Sequence, residues 1–509
     1  MDFIKRTFPL LFGIFLLSVV VRLPELNRPL SKHHEFCTAI SLRIMQIWYD
    51  NGIEKYNYNP VMTFNNPADK YINNSANASG KMIDSSGNYY YISHPPFAYY
   101  FPFFIFKTLH IRPDVLPLQM LNLLFHFISG LFVYFMVCLL SFTRARSLPY
   151  RPGVVAFVVY TFLPVTMWFQ GNVYMSDMAV HLLFIIGVYA ALKMIIRQKF
   201  YSPKYIFLYT LCLALMLYTS WLGVFFAFGI LVYSLLHVRS NKDFHVLIWT
   251  TAITSILMLR LIVYQYSQIN GLEAYLMEMF NRYILRGSLE GTDRGLFHFM
   301  FAYLWLFKTL LYNYVMHYII IYLALGLFVY LAATRKKLKI VFSENGYRFI
   351  WLSVLPVLLL HFFFLNYSIQ DFTVLYASLF FSVLLGMLYD KVKKSGAVPI
   401  RVMQLGLVAT VLIFIAQYHA MNYFARDDFQ SQGQGIAQKS SKDDVIFWPA
   451  LDIEPQLVFY AQRNIRYAKT MEDAKAFLAQ HGLKQGLMFH PNQSGFASEK
   501  VVLDTVQTH

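Results

Sequence analysis

Apolar positions along this chain come in long blocks, and each block is closed by a Lys/Arg cluster or by a Gly-, Pro- or Asn-rich segment. A stretch of about 20 apolar residues is what an α-helix needs to cross a hydrocarbon core of about 30 Å. Blocks of that kind predict about eleven membrane spans, near residues 9–21, 116–142, 154–169, 178–196, 205–218, 221–237, 244–264, 316–333, 349–365, 372–389 and 402–418. After residue 420 the pattern changes. Short alternating runs such as Val445-Ile446-Phe447-Trp448 and Leu457-Val458-Phe459-Tyr460 sit beside a helical period at 474–481, which predicts a small soluble α/β domain. The expected organisation is an α-helical polytopic domain over 1–420 followed by a C-terminal domain over 421–509. Residues 95–110, dense in Phe and Tyr and rich in Pro, read as a helix lying in the membrane interface.

Charge adds orientation. Basic clusters at Lys5-Arg6, 144–151, 197–204, 239–242, 335–339 and 391–394 fall on one side of the predicted spans, which the positive-inside rule makes cytoplasmic. The N-terminus is then cytoplasmic. The loop 22–95, the turn 171–177, the loop 265–296 and the tail after 418 lie outside. The first block lacks a small-residue cleavage site and reads as an uncleaved helix. A formal charge of +16 would suggest nucleic acid in a soluble protein, but these cations sit between apolar spans, so topology and phosphate contact are the expectation and nucleic acid is not. With 57% hydrophobic and 14% charged residues, membrane lipid is the chain's main solvent. The three cysteines are scattered and imply no disulfide framework.

Candidate chemistry gathers in the outer segments. Directly after the first span, Ser31-Lys32-His33-His34-Glu35 places two imidazoles, an ammonium and a carboxylate at the membrane face. An interfacial polar collar explains such a cluster as well as a general base does, with Glu35 as the proton acceptor and His34 beside it. His94-Pro95-Pro96 fixes a histidine at the close of the same loop. In the turn Asn172 to Asp177, helix capping explains Asp177 cheaply, and substrate contact by Asn172 and Asp177 is the alternative. Arg282 and Arg286 stand four apart, a spacing that can cradle a phosphate, although surface ion pairing is the default for such a loop. Lys70 can contribute in the same way. Asp371, in the turn Gln370-Asp371-Phe372, is again explained by capping or by substrate contact. The imidazoles leave a divalent metal open, but their spacing matches no short metal signature, so no metal ligand is assigned.

In this order, the acidic motif at His34-Glu35, the His94-to-Phe97 segment, the Asn172-to-Asp177 turn, the Gln370-to-Phe372 turn and the tail motif Tyr460-Ala461-Gln462-Arg463 resemble membrane glycosyltransferases of the GT-C fold. That family contains the protein O-mannosyltransferases and the lipid A aminoarabinose transferase. The resemblance implies a polyprenyl-phosphate-linked sugar donor, a lipid, glycan or protein acceptor, an inverting transfer, and a carboxylate base in the first outer loop. The family's usual Asp-Glu pair reads His34-Glu35 here, which assigns the base to Glu35. The basic inner loops favour a bacterial inner membrane. A polytopic transporter or lipid-linked oligosaccharide flippase is the rival from another class. It is disfavoured because the charges collect at outer loops rather than at mid-bilayer.

Overall fold

The computed structural model describes residues 6–66, 81–141, 151–287, 296–334, 343–420, 428–451, 453–492 and 495–502. Lys70 lies outside them. The chain divides into two compact units, one of 1–26, 119–261 and 283–421 and the other of 27–118, 262–282 and 422–509.

Among the described residues, eight helices are long and apolar enough to span a membrane: Phe8–Glu25, Val115–Leu140, Ser176–Ile196, Phe244–Asn270, Met300–Thr334, Glu344–Phe363, Asp371–Ser395 and Ile400–Ala420. Three shorter apolar helices, Arg151–Phe162, Pro203–Leu217 and Leu222–His237, account for the other expected spans. The block at 154–169 is broken where Pro164 removes a backbone N–H and drives Leu163 out of the helical region (ψ 127), so a second helix starts at Pro164. Lipid-facing character is plain on the first and last spans. Leu10, Phe12, Leu16, Leu17 and Val20 are exposed on one, and the helix Ile400–Ala420 buries only Phe414 and Tyr418. Such surfaces are stable only against hydrocarbon.

Two stretches differ from expectation. Residues 265–296, expected as a loop, carry the end of the helix Phe244–Asn270 and the whole of a separate helix, Leu272–Arg286. The eighth span starts 20 residues earlier than expected, as a 39-residue helix Leu296–Thr334. Its first half is aromatic and carries Lys308, which dilutes the apolar signal without interrupting the backbone ladder.

Within the membrane unit, close helix approach depends on small residues. A Cβ on Gly386 would lie 2.7 Å from the Pro152 carbonyl oxygen and 2.8 Å from the Ala156 Cβ, both on the helix Arg151–Phe162. Because one obstacle is backbone, the helices must part. Gly386→Ala is expected to cost about 1–3 kcal/mol, read as a lowered midpoint in a thermal melt of the full chain in detergent; an unchanged midpoint would show that this approach is not tight.

The other unit brings outer-loop and tail segments into one body. A short antiparallel pair, β1 (Lys81–Ile83) and β2 (Tyr89–Tyr91), closes the first loop. A four-stranded sheet forms from β3 (Ile446–Trp448), β4 (Ile465–Tyr467), β5 (Gln485–Asn492) and β6 (Gly495–Val502) in the order β4-β3-β5-β6. β3 is parallel to β4 and β5, and β6 is antiparallel to β5. The helix Met471–Gln480 begins with a capping box between Thr470 and Asp473. Phe447, Ala474, Leu478 and Met488 make the core beneath it. The tail is thus α/β as expected, with the run at 445–448 forming β3, whereas the run Leu457-Val458-Phe459-Tyr460 is not a strand but lies in the helix Pro455–Ala461, which Pro455 starts at its first position. The aromatic segment forms the helix Phe97–Thr108, with Phe101 and Phe104 exposed.

Candidate active site

Glu35 is the first residue of the buried helix Glu35–Asn51, and the loop before it is shaped around its carboxylate. His34 takes a left-handed conformation (φ 58), which turns the chain so that the Glu35 side chain points back along the residues preceding it. Oε2 accepts the backbone N–H groups of Ser31 and Lys32, each at 2.8 Å, and Arg28 Nη1 at 3.0 Å. Among the described residues Oε1 accepts only Arg28 Nη2, at 2.5 Å. The result is a two-pronged arginine–carboxylate pair with Glu35 1% exposed. Burial pushes the Glu35 pKa above the usual glutamate value, while the Arg28 charge and the four hydrogen bonds oppose that rise. A carboxylate held this way keeps an uncommitted lone pair on Oε1, where a proton can be received.

The tail reaches the same loop. Leu30 N–H donates to the Tyr460 hydroxyl at 2.7 Å, and burial raises that phenol to about 12, so it stays neutral and keeps its own proton to donate. Two residues on, Gln462 Nε2 donates to Gln46 Oε1 at 2.8 Å, and Arg112 bonds both Gln462 and Asp50. The tail motif is therefore the part of the C-terminal domain that fastens the Glu35 helix. His94 lies in this unit too, 1% exposed, its carbonyl accepting the Tyr266 hydroxyl at 2.6 Å and its ring parallel to Tyr91. Glu35 makes no bond to it. The His33 and His34 rings touch, with centroids 3.9 Å apart. They are metal-capable donors, whereas the oxygens of Glu35 are already engaged with Arg28 and the loop N–H groups. Arg282 is half-buried on the helix Leu272–Arg286.

In the membrane unit the capping explanation of Asp177 fails. The cap of the helix Ser176–Ile196 is Met175, and no side chain caps it. The Asp177 carboxylate is fully buried and instead accepts the hydroxyls of Tyr367 and Tyr376, with Ser176 Oγ at 3.3 Å from its other oxygen. The Arg286 guanidinium stacks on the Tyr367 ring at 4.5 Å. Asp177 and Arg286, far apart in sequence, thus meet on one tyrosine. Asp371 faces His317 Nε2 at 3.4 Å. Asn172 makes long contacts with Gln119 (3.5 Å) and Tyr418 (3.4 Å).

Sequence reasoning missed Arg28, because a seven-residue spacing signals nothing until the loop reverses at His34. It also passed over Arg22, which is fully buried at the end of the first span, where it donates to the Ser18 carbonyl and to His126 Nδ1 at 3.0 Å each. Since a guanidinium only donates, His126 accepts at Nδ1.

No family model matches the sequence, and no curated protein matches it. Solved structures do match in fold. ArnT from Cupriavidus metallidurans, bound to undecaprenyl phosphate, aligns over 97% of this chain and 98% of its own at 10% identity and a TM-score of 0.55. The oligosaccharyltransferase of Archaeoglobus fulgidus, in a complex with zinc and sulfate, aligns over 94% of this chain and 67% of its own at 10% identity and a TM-score of 0.59. The same archaeal enzyme, AglB, in complex with an inhibitory peptide and a dolichol-phosphate, aligns over 96% and 70% at 10% identity and a TM-score of 0.53. At such identity the likeness is one of architecture, and it extends over nearly the whole chain: this polytopic protein has the GT-C fold, which it shares with ArnT and AglB.

Proposed function

We propose that the protein is a glycosyltransferase that takes a sugar from a polyprenyl-phosphate carrier at the extracytoplasmic face of a bacterial inner membrane and passes it to a lipid, glycan or protein acceptor. The observation that carries this reading is the buried Glu35 carboxylate, gripped by Arg28 directly after the first span of a GT-C-fold chain. Two solved structures of that fold hold a polyprenyl or dolichol phosphate, which supports the same class of donor here.

In the proposed reaction the acceptor O–H or N–H gives its proton to Glu35 Oε1 as its oxygen or nitrogen attacks the anomeric carbon. The bond from that carbon to the phosphate oxygen breaks on the opposite side, its electron pair leaves with the polyprenyl phosphate, and the configuration inverts. Arg28 positions Glu35, and His34 orients it by holding the loop turn. His94, Arg282 and Lys70 are assigned to substrate contact in the unit that carries Glu35. Asn172, Asp177, Arg286 and Asp371 are assigned to it in the membrane unit. Cations among these would offset the charge gathering on the leaving phosphate.

The test is transfer of radiolabelled sugar from a panel of synthetic polyprenyl-phosphate donors by membranes containing the protein. Donor-dependent label in an acceptor fraction is the expected result. Movement of label across sealed vesicles without any transfer product would replace the enzyme reading with that of a flippase.

A further inference from the structure

The helix that begins with Glu35 carries a second charge that the proposed chemistry does not use. Arg43 is 3% exposed, and its Nε is sealed without an acceptor. Among the described residues it has no ion pair, no hydrogen bond and no aromatic ring beneath it. Burial lowers its pKa to about 10, so it remains charged at neutral pH. Among the described residues the other buried arginines each have a partner group, Arg286 stacking on Tyr367 and Arg466 on Phe477. Arg22 is met by Ser18, His126 and the face of Phe15, and Arg28 by Glu35. Groups beside Arg43 are committed elsewhere. Gln46, one turn on, is tied to the Pro113 carbonyl and to Gln462, and Asp50, two turns on, is paired with Arg112.

A buried guanidinium with no partner among the described residues costs several kcal/mol of folding free energy if it stays so, and an apolar side chain of the same length would fill the space without that cost. A cation kept under those terms is explained by an anion that binds it. We infer that Arg43 is the anchor of an oxyanion-binding site in the unit that carries Glu35, and that it receives a phosphate or carboxylate group of the acceptor. The assignment to the acceptor rests on the proposed role of Glu35, which the acceptor must touch and which begins the helix that carries Arg43. Eight residues of helix place Arg43 about 12 Å along the axis from Glu35 and about 80° around it. That offset is within reach of a group carried elsewhere on an acceptor whose nucleophile sits at Glu35, and the polyprenyl phosphate arm of the experiment separates it from the donor's phosphate. The planar fork of arginine suits either oxyanion, engaging two oxygens at once.

The experiment is thermal stability and binding of the full chain in detergent, with inorganic phosphate, acetate or a short-chain polyprenyl phosphate as the probe, for the native protein, Arg43→Met and Arg43→Lys. Expected is stabilisation of the native protein by phosphate or acetate, loss of that response in R43M, and affinity weakened about ten- to hundredfold in R43K, which keeps the charge but not the fork. The polyprenyl phosphate response should survive in R43M. If R43M does not fold, R43K decides alone, and an undiminished response there overturns the site. A full phosphate and acetate response in R43M also overturns it. Loss of the polyprenyl phosphate response as well would move the anion from acceptor to donor and overturn the assignment. Glu35→Gln separates the two readings: the oxyanion response must be intact in that variant whether or not transfer is lost, so failure of Glu35 as base and failure of Arg43 as anchor give different results.

Discussion

Glu35→Gln is expected to lower sugar transfer by about 10²–10⁴-fold, the usual contribution of a positioned general base, while leaving the donor KM close to native. The substitution is conservative in shape. The amide oxygen can still accept from Ser31 and Lys32, so the loop that closes on this residue keeps part of its bonding. What is lost is the proton acceptor and the negative charge beside Arg28. The amide NH2 would turn a donor toward a guanidinium that only donates, so a melting curve must accompany the rate. A variant that melts near the native midpoint and has lost kcat supports the base, whereas native kcat would remove Glu35 from that role. The pH profile gives an independent reading. Burial holds the Glu35 pKa above the ordinary glutamate value, so activity should rise with pH through that raised pKa, with its acid limb displaced upward from the free side chain's. Arg28→Met removes the attraction that restrains the rise and should move the limb further up. The stability linkage runs the other way. A carboxyl whose folded pKa is raised contributes stability that is fully present below its unfolded pKa and is lost as pH rises through the folded one. Glu35 therefore weakens the fold at the pH where it would act, and Arg28 with the two backbone N–H groups offsets that cost.

The distribution of such costs explains what could be read from the sequence. Apolar blocks announce spans because lipid enforces one rule along the whole block, and every expected span corresponds to an apolar helix. The Leu163–Pro164 break was also legible in principle, since Pro164 acts through its own ring. The extra turns of the helix Leu296–Thr334 were not, because aromatic residues with an occasional Lys308 read equally well as an interfacial loop. At the candidate site, Glu35 was visible as a carboxylate at a membrane boundary. Arg28 was hidden by the left-handed turn at His34, and Tyr460 by the 430 residues that separate it from Leu30. Arg43 was hidden differently. A single arginine on an amphipathic helix reads as a solvated face, and only its burial turns it into a charge without a partner among the described residues. The same logic undid capping at Asp177, where a local rule was cheap and the true partners lie 190 and 199 residues away.

Asp177→Ala should therefore behave as a structural lesion of the membrane unit, costing about 3–5 kcal/mol of stability. The carboxylate is the hydrogen-bond acceptor of two phenols on a different part of the chain, and Tyr376 has no exposed surface through which water could replace it. Truncation leaves both hydroxyls to find new partners in a dry interior, and a stranded buried donor costs about 1–3 kcal/mol each. It also removes an anion that acts on the Arg286 guanidinium that stacks on Tyr367. Neutral polar pairs between membrane helices average only about 0.6 kcal/mol, so the size of the loss distinguishes the two descriptions. Tyr367→Phe and Tyr376→Phe should each lose less than Asp177→Ala. The double variant should lose more than the sum of the singles, since after the first change the carboxylate still has one phenol, and the second leaves it only the Ser176 hydroxyl at 3.3 Å. Asp177→Asn keeps an acceptor oxygen and should fall between native and alanine. The measurement is the thermal midpoint of the full chain in detergent. An alanine variant that melts within about 0.5 kcal/mol of native, the range of ordinary surface changes, would mean that the tyrosines do not depend on Asp177 and that the carboxylate is present for substrate alone.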